Sequence, residues 1–207
     1  VGIYELMPVT PALRALVKPD MELAAFTRAA VGDAAPEMIK LGQFFSTERF
    51  ISTFAAATRT QLDAAIEAGE RPRLVFTAHS IPISADNAAG PDEESRGLYS
   101  RQVRSAAELV AAQAGVDDFD LVWQSRSGPP QVPWLEPDIV DHATSLAEAG
   151  ETSLVVCPIG FISDHVEVVW DLDNELAEEC ESLGVTLRRA ATPGDTTEFA
   201  RMVLDLL

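Results

Sequence analysis

Three short apolar runs, Leu74-Val75-Phe76, Leu121-Val122-Trp123 and Leu154-Val155-Val156, constrain this chain most. Each is too short for a helix, rich in β-branched or aromatic residues, and closed by turn-forming or polar residues, so each reads as a strand buried on both faces. Stretches of helical period separate them. The spacing predicts helices over about 48–68, 94–114 and 139–149, the first stopped by Gly69 and Pro72 and the second by Gly115. An acidic helix running to about Leu183, a strand Val185 to Arg188 and a helix Thr196 to Leu206 complete the pattern, with a loop expected from Ile81 to Asp92. Strands alternating with helices define an α/β parallel sheet with helices on both faces. The strand order is not readable from the sequence. No internal repeat, low-complexity tract or interdomain linker interrupts it.

With 207 residues, 47% of them apolar and 23% charged, the chain can bury one sizeable core. Fifteen basic residues stand against 33 acidic ones, a net charge of −18. That balance argues against nucleic acid or an anionic membrane as the main partner and favours the attraction of cations. No apolar run approaches the ~20 residues of a membrane span and no signal-peptide pattern is present, so a cytoplasmic location is expected. Cys157 in an apolar strand and Cys180 in a helix suit a reducing compartment and call for no disulfide.

In parallel sheets, ligands bind beyond the carboxyl ends of the strands. Three strand ends carry chemistry. After Ser153 to Cys157 comes Pro158-Ile159-Gly160-Phe161-Ile162-Ser163-Asp164-His165-Val166-Glu167, in which Ser163 or Asp164 is placed to cap a helix. Asp164, Glu167, Asp171, Glu175 and Glu178 then recur at three- and four-residue intervals on one helix face. Like charges at that spacing repel, and a labile divalent cation held by oxygen and imidazole donors would relieve them; a solvated acidic face is the competing reading. The second strand ends at His79, whose neutral imidazole can accept a proton or bind a metal, or simply bond to its loop. The third opens the loop Leu121 to Pro137, where Trp123 and Trp134 bracket Arg126. Indoles beside a guanidinium can line a pocket for a flat anion, although such tryptophans more commonly anchor a core. His142, near Asp141, reads as solvent-facing and Trp170 as packed inward. Tyr99, Arg101 and Gln102 begin the helix after the His79 loop, within reach of an anionic ligand.

Phe76-Thr77-Ala78-His79-Ser80-Ile81-Pro82, Trp123-Gln124-Ser125-Arg126 and the acidic stretch Pro158 to Asp173 together resemble, in this order, the motifs of the ferrochelatase family, whose members insert ferrous iron into a porphyrin. The likeness runs from about Pro36 to the C-terminus. The loop Gly128-Pro129-Pro130-Gln131-Val132-Pro133-Trp134-Leu135-Glu136-Pro137 looks most like the actinobacterial branch, whose usual substrate is coproporphyrin III. The resemblance implies a Rossmann-like, chelatase-type fold and an enzyme of haem biosynthesis. It implies that His79 and Glu167 are the catalytic pair and also the metal-facing groups, with Asp164, His165 and Asp171 in support. Trp123, Ser125 and Arg126 would meet the porphyrin.

Metallation expels two pyrrole N–H protons, which a neutral His79 can accept. Glu167 is expected as the opposite partner on the iron, with Asp171, Glu175 and Glu178 relaying the hydrated ion. Ferrous iron is thus the substrate metal. No iron-sulfur cluster is expected, because two cysteines cannot supply the usual four thiolates. Beyond porphyrin and iron, the resemblance leaves room for a weak contact with a membrane or another haem-pathway enzyme.

Family members have two similar α/β halves, and the likeness covers essentially the second. Residues 1–35 read as a lead-in and 36–207 as the ferrochelatase-like domain. Val1 is not an initiator methionine, and the first half's glycine-containing strand is not found, so a partial chain is expected, inactive alone. Three other readings stand beside this one: a cobalt or nickel chelatase of a sirohydrochlorin-type macrocycle, a non-catalytic porphyrin or haem carrier using His79 as axial ligand, and a Ser-His hydrolase. The absence of a Gly-x-Ser-x-Gly elbow weighs against the last.

Overall fold

A computed structural model of the protein describes residues 44–89, 93–128 and 131–207. The predicted lead-in, the start of the domain at 36, and part of each Pro-rich loop lie outside these residues. The first described helix, α1 (Glu48–Glu67), buries Phe50, Ile51, Phe54, Ala55 and Leu62 along one stripe. It leads through Gly69 into β1 (Arg73–His79). A short helix α2 (Ile83–Asn87) occupies the segment expected to be loop. A 3-10 turn, Glu93–Ser95, precedes α3 (Leu98–Ala114), which ends at Gly115 with φ 73°, a left-handed conformation that glycine adopts without strain.

The strand β2 (Asp120–Gln124) and the helix α4 (Ile139–Glu148) follow. Asp138 caps α4 by accepting from the Val140 N–H at 2.9 Å. Then come β3 (Ser153–Cys157), α5 (Val166–Val168), a π-helical stretch (Val169–Glu175) and α6 (Leu176–Leu183). The chain closes with β4 (Thr186–Arg189) and α7 (Thr197–Asp205).

The four strands are all parallel, in the order β2-β1-β3-β4. Period-two alternation sorts their side chains onto two faces. Leu74, Phe76, Ala78, Val155 and Cys157 pack on one face with residues of α1, α3 and α7. Val75, Val122, Leu154 and Val156 pack on the other with residues of α4, α5, the π stretch and α6. This division is what right-handed crossovers require: β1 to β2 runs one way across the sheet, whereas β2 to β3 and β3 to β4 run the other way. The connections leaving β1 and β3 therefore depart to opposite faces, and the crevice between those two strand ends is the topological switch point of the sheet. Among the described residues no helix is long and apolar enough to cross a membrane.

The acidic helix departs from the expected regular α form. Neither Ser163 nor Asp164 caps it: the helix begins at Val166, with His165 in the N-cap position and no side-chain capping bond. Val168, Leu172, Leu176 and Cys180 are buried against the sheet at a strict four-residue interval. In an α-helix such a stripe turns by about 40° per repeat and would roll off the sheet. The wider π turns between Val169 and Glu175 wind it back and keep all four side chains inward.

Candidate active site at the β1–β3 switch point

His79 is the last residue of β1 and stands level with Gln124, the last residue of β2. Its backbone is held on several sides. The Tyr99 hydroxyl donates to the His79 carbonyl at 2.8 Å, the Ser80 N–H to the Gln124 carbonyl at 2.7 Å, and the Ser80 hydroxyl to the Leu135 carbonyl at 2.8 Å. Tyr99 is 2% exposed, and burial drives its phenol pKa well above the ordinary value, so it remains a donor. The ring nitrogen Nδ1 lies 2.5 Å from the Ser80 carbonyl oxygen. A carbonyl can only accept, so Nδ1 carries the proton and Nε2 is the free, basic atom of the neutral ring.

Glu167 reaches that atom from the first turn of α5: its Oε1 lies 3.4 Å from His79 Nε2, with the imidazole 17% and the carboxylate 45% exposed. The loop between β3 and α5 is pressed onto β1 to achieve this. The Gly160 N–H donates to the Thr77 carbonyl at 3.2 Å, and a Cβ at Gly160 would come within 2.5 Å of Ala78 Cβ. Phe161 stands between two histidines, its ring centroid 6.5 Å from His79 and 5.4 Å from His165. His165 is thereby turned onto Phe161 and exposed. Among the described residues no group of three or more His, Cys, Asp or Glu side chains is disposed to hold a metal ion.

The remaining acids do not form one stripe. Asp171 turns toward the end of β2, where it accepts from Gln124 Nε2 at 3.1 Å and from the Ser125 hydroxyl. Ser125 has φ 61°, a left-handed backbone costing about 1–2 kcal/mol, which charge-assisted bonding to Asp171 offsets. Asp164 lies before the helix and pairs with Arg189, as does Asp173. Glu175 and Glu178 are exposed.

The Pro-rich loops after β1 and β2 pair with each other: the Ile83 N–H donates to the Pro133 carbonyl and the Leu135 N–H to the Ile81 carbonyl, both at 2.9 Å. Trp123 and Trp134, 5% and 9% exposed, are buried anchors rather than open faces, and Trp123 packs against Tyr99 with centroids 5.7 Å apart. Tyr99 accordingly faces inward and supports His79 instead of reaching for an anion. Arg126 stays partly exposed beside Glu136, 3.8 Å away. Trp170 is 59% exposed, not packed inward, because Leu172 and Leu176 take the inward positions. His142 is not solvent-facing: its Nε2 lies buried 3.1 Å from an Asp120 oxygen, off the line of a hydrogen bond.

Sequence reasoning assigned no role to Gln124 or Arg189 and gave Tyr99 the wrong one. Gln124 and Arg189 were accessible to the same strand-end rule that found His79, since each closes a strand of the sheet.

An α/β sheet with a histidine and a carboxylate meeting across its switch point defines the class. Residues 21–207 match the ferrochelatase family model, and the chain belongs to that family. It is 56% identical over 181 residues to a protein of Nocardia farcinica named coproporphyrin III ferrochelatase, a match covering 87% of this chain and 51% of the relative. Proteins of the same name from Mycobacterium avium and Mycobacteroides abscessus are 53% and 54% identical over 187 residues, covering 90% of this chain and 53% of each relative. The chain spans about half the length of the curated relatives it matches.

Proposed function

We propose that the protein carrying this chain inserts ferrous iron into a porphyrin in haem biosynthesis, with coproporphyrin III as substrate. Family membership and the names of the relatives support the reaction. The observation that carries the reading at the level of atoms is the pairing of His79 Nε2 with Glu167 Oε1 at 3.4 Å. Two donors on opposite sides of one ion stand about 4 Å apart, twice a metal–donor bond of about 2.0–2.2 Å, whereas adjacent donors stand at roughly 3 Å. The pair therefore works from one face of the macrocycle, and Glu167 is not the partner of His79 across the ring.

From that face His79 Nε2 accepts a pyrrole proton as the iron displaces it, and Glu167 is the next acceptor, within reach of the charged imidazolium. Repeating the transfer removes the second proton, so two protons leave for each ferrous ion bound. Ser125 and Arg126 line the porphyrin side of the β2 end, Arg126 exchanging Glu136 for a propionate, while Trp123 holds their strand from beneath. Asp171 belongs to the support of this loop rather than to an ion relay.

The test is anaerobic insertion of ferrous iron into coproporphyrin III followed by absorbance, with this chain beside a form extended to the relatives' full length. Insertion by the extended form supports the reading. Tight porphyrin binding without insertion in either form would favour a carrier, and a preference for cobalt and a sirohydrochlorin-type ring would favour the other chelatase class.

A further inference from the structure

The loop that delivers Glu167 is gripped from behind by the segment between β4 and α7. The Arg189 guanidinium, at the end of β4, donates to both oxygens of Asp164 at 3.0 Å each, and to both oxygens of Asp173 at 2.6 and 2.9 Å. One planar cation thus ties a residue three positions before Glu167 to one six positions after it. Its side chain is 18% exposed, so these bonds are partly shielded from water. Two further contacts reinforce the grip. The Thr192 hydroxyl donates to Asp164 at 3.0 Å, and Gly194 lies so close that a Cβ there would come within 2.5 Å of the Ile162 carbonyl oxygen and 2.9 Å of Ser163 Cβ. Arg189, Thr192 and Gly194 are not within the three sequence motifs.

We infer that Arg189 is a positioning residue: by bridging Asp164 and Asp173 it fixes the start of α5 and its π-helical continuation, and so sets the Glu167 carboxylate against His79. Asp164, which the resemblance makes a supporting member of the site, is one anchor point of the clamp, and Asp173 is the other. A carboxylate displaced by about 1 Å forfeits on the order of a hundredfold in rate. An Arg189→Met enzyme should therefore lose about 10- to 100-fold in kcat. The Arg189 guanidinium is fully engaged by Asp164 and Asp173, so porphyrin affinity should stay within about twofold.

The inference rests on the proposed His79–Glu167 chemistry, and the test separates the two. In the full-length protein, insertion kinetics and porphyrin binding by fluorescence quenching are measured for Arg189→Met, Arg189→Lys, Gly194→Ala, Glu167→Gln and the double variant Arg189→Met/Glu167→Gln. Lysine, a point charge able to hold one carboxylate well but not two, should recover part of the rate. Gly194→Ala leaves Arg189 intact and pushes the same loop, so it should lower kcat without loosening porphyrin. If Arg189 acts through Glu167, the double variant is no slower than Glu167→Gln alone.

Folded Arg189→Met protein with unchanged kcat, or a loss that simply adds to that of Glu167→Gln, would overturn the inference. Should Arg189→Met not fold, Gly194→Ala decides alone, and an unchanged kcat there counts against the clamp. If Glu167→Gln itself is fully active, it is the proposed chemistry that fails.

Discussion

At the scale of residues the site is a matter of hydrogen-bond direction. His79 gives its Nδ1 proton to the Ser80 carbonyl and so offers Nε2 to the crevice, and the Tyr99 hydroxyl fixes the peptide that carries it. Tyr99→Phe leaves the His79 carbonyl without that donor, at a cost of about 1–3 kcal/mol. That loss should appear as a fall in the thermal midpoint of about 2–4 °C per kcal/mol. His79→Ala should abolish insertion while leaving the fold intact, as followed by circular dichroism alongside the metallation assay, since the ring is at the rim of the core and not in it. The strand-end placement of His79 and of the acids around Glu167 was legible from the short apolar runs that precede them, whereas their choice as a pair came from the family resemblance. Their separation was not legible, because side-chain distance depends on how far the Gly160 loop folds over β1.

At the scale of elements, the strand positions follow from the apolar runs to within two residues, because burial on both faces leaves a sheet few alternatives. The charged residues of the segment carrying Glu167 read as a regular α-helix, whereas the four-residue interval of its buried residues, Val168, Leu172, Leu176 and Cys180, marks the π turns. The short helix Ile83–Asn87 was hidden in a loop-like composition, where the buried Asp86 accepts from the Ser100 N–H at 3.0 Å and its hydroxyl at 2.7 Å. Close backbone approach makes Gly160 the most sensitive point of the β3–α5 connection. Gly160→Ala should cost about 1–3 kcal/mol through overpacking against Ala78. Because the same displacement moves Glu167, it should also slow insertion, checked by urea unfolding and the metallation rate on one preparation.

The whole molecule is strongly acidic, and two partly buried ion pairs brace the sheet on the side away from His79. Arg73 pairs with Asp120 at 2.7 Å, and Arg188 with Glu70 at 2.8 Å. The Arg73 bond, then His142, holds the Asp120 carboxyl below its ordinary pKa despite partial burial, and the Arg188 and Ser153 bonds do the same for Glu70. A carboxylate with a depressed folded pKa contributes stability above its unfolded value near 4, and the contribution is lost as pH falls through the folded one. Asp138 acts in the opposite sense, its pKa raised first by burial and then by Asp141 and Asp171. The difference in urea midpoint between wild type and Asp120→Asn should therefore be present well above the unfolded value near 4 and shrink toward zero as pH falls below it and through the depressed folded one. A difference that persisted in acid would place the effect in packing instead.

In the proposed reaction a histidine and a glutamate on one face of the porphyrin carry out metallation together. This joint action is tested most directly by the single-turnover rate of ferrous insertion into bound coproporphyrin III, wild type against Glu167→Gln, in the full-length protein. A fall of about 100-fold or more with unchanged porphyrin affinity is the predicted result, the scale expected for loss of a proton acceptor. A Glu167→Gln enzyme that inserts iron at the wild-type rate would contradict it.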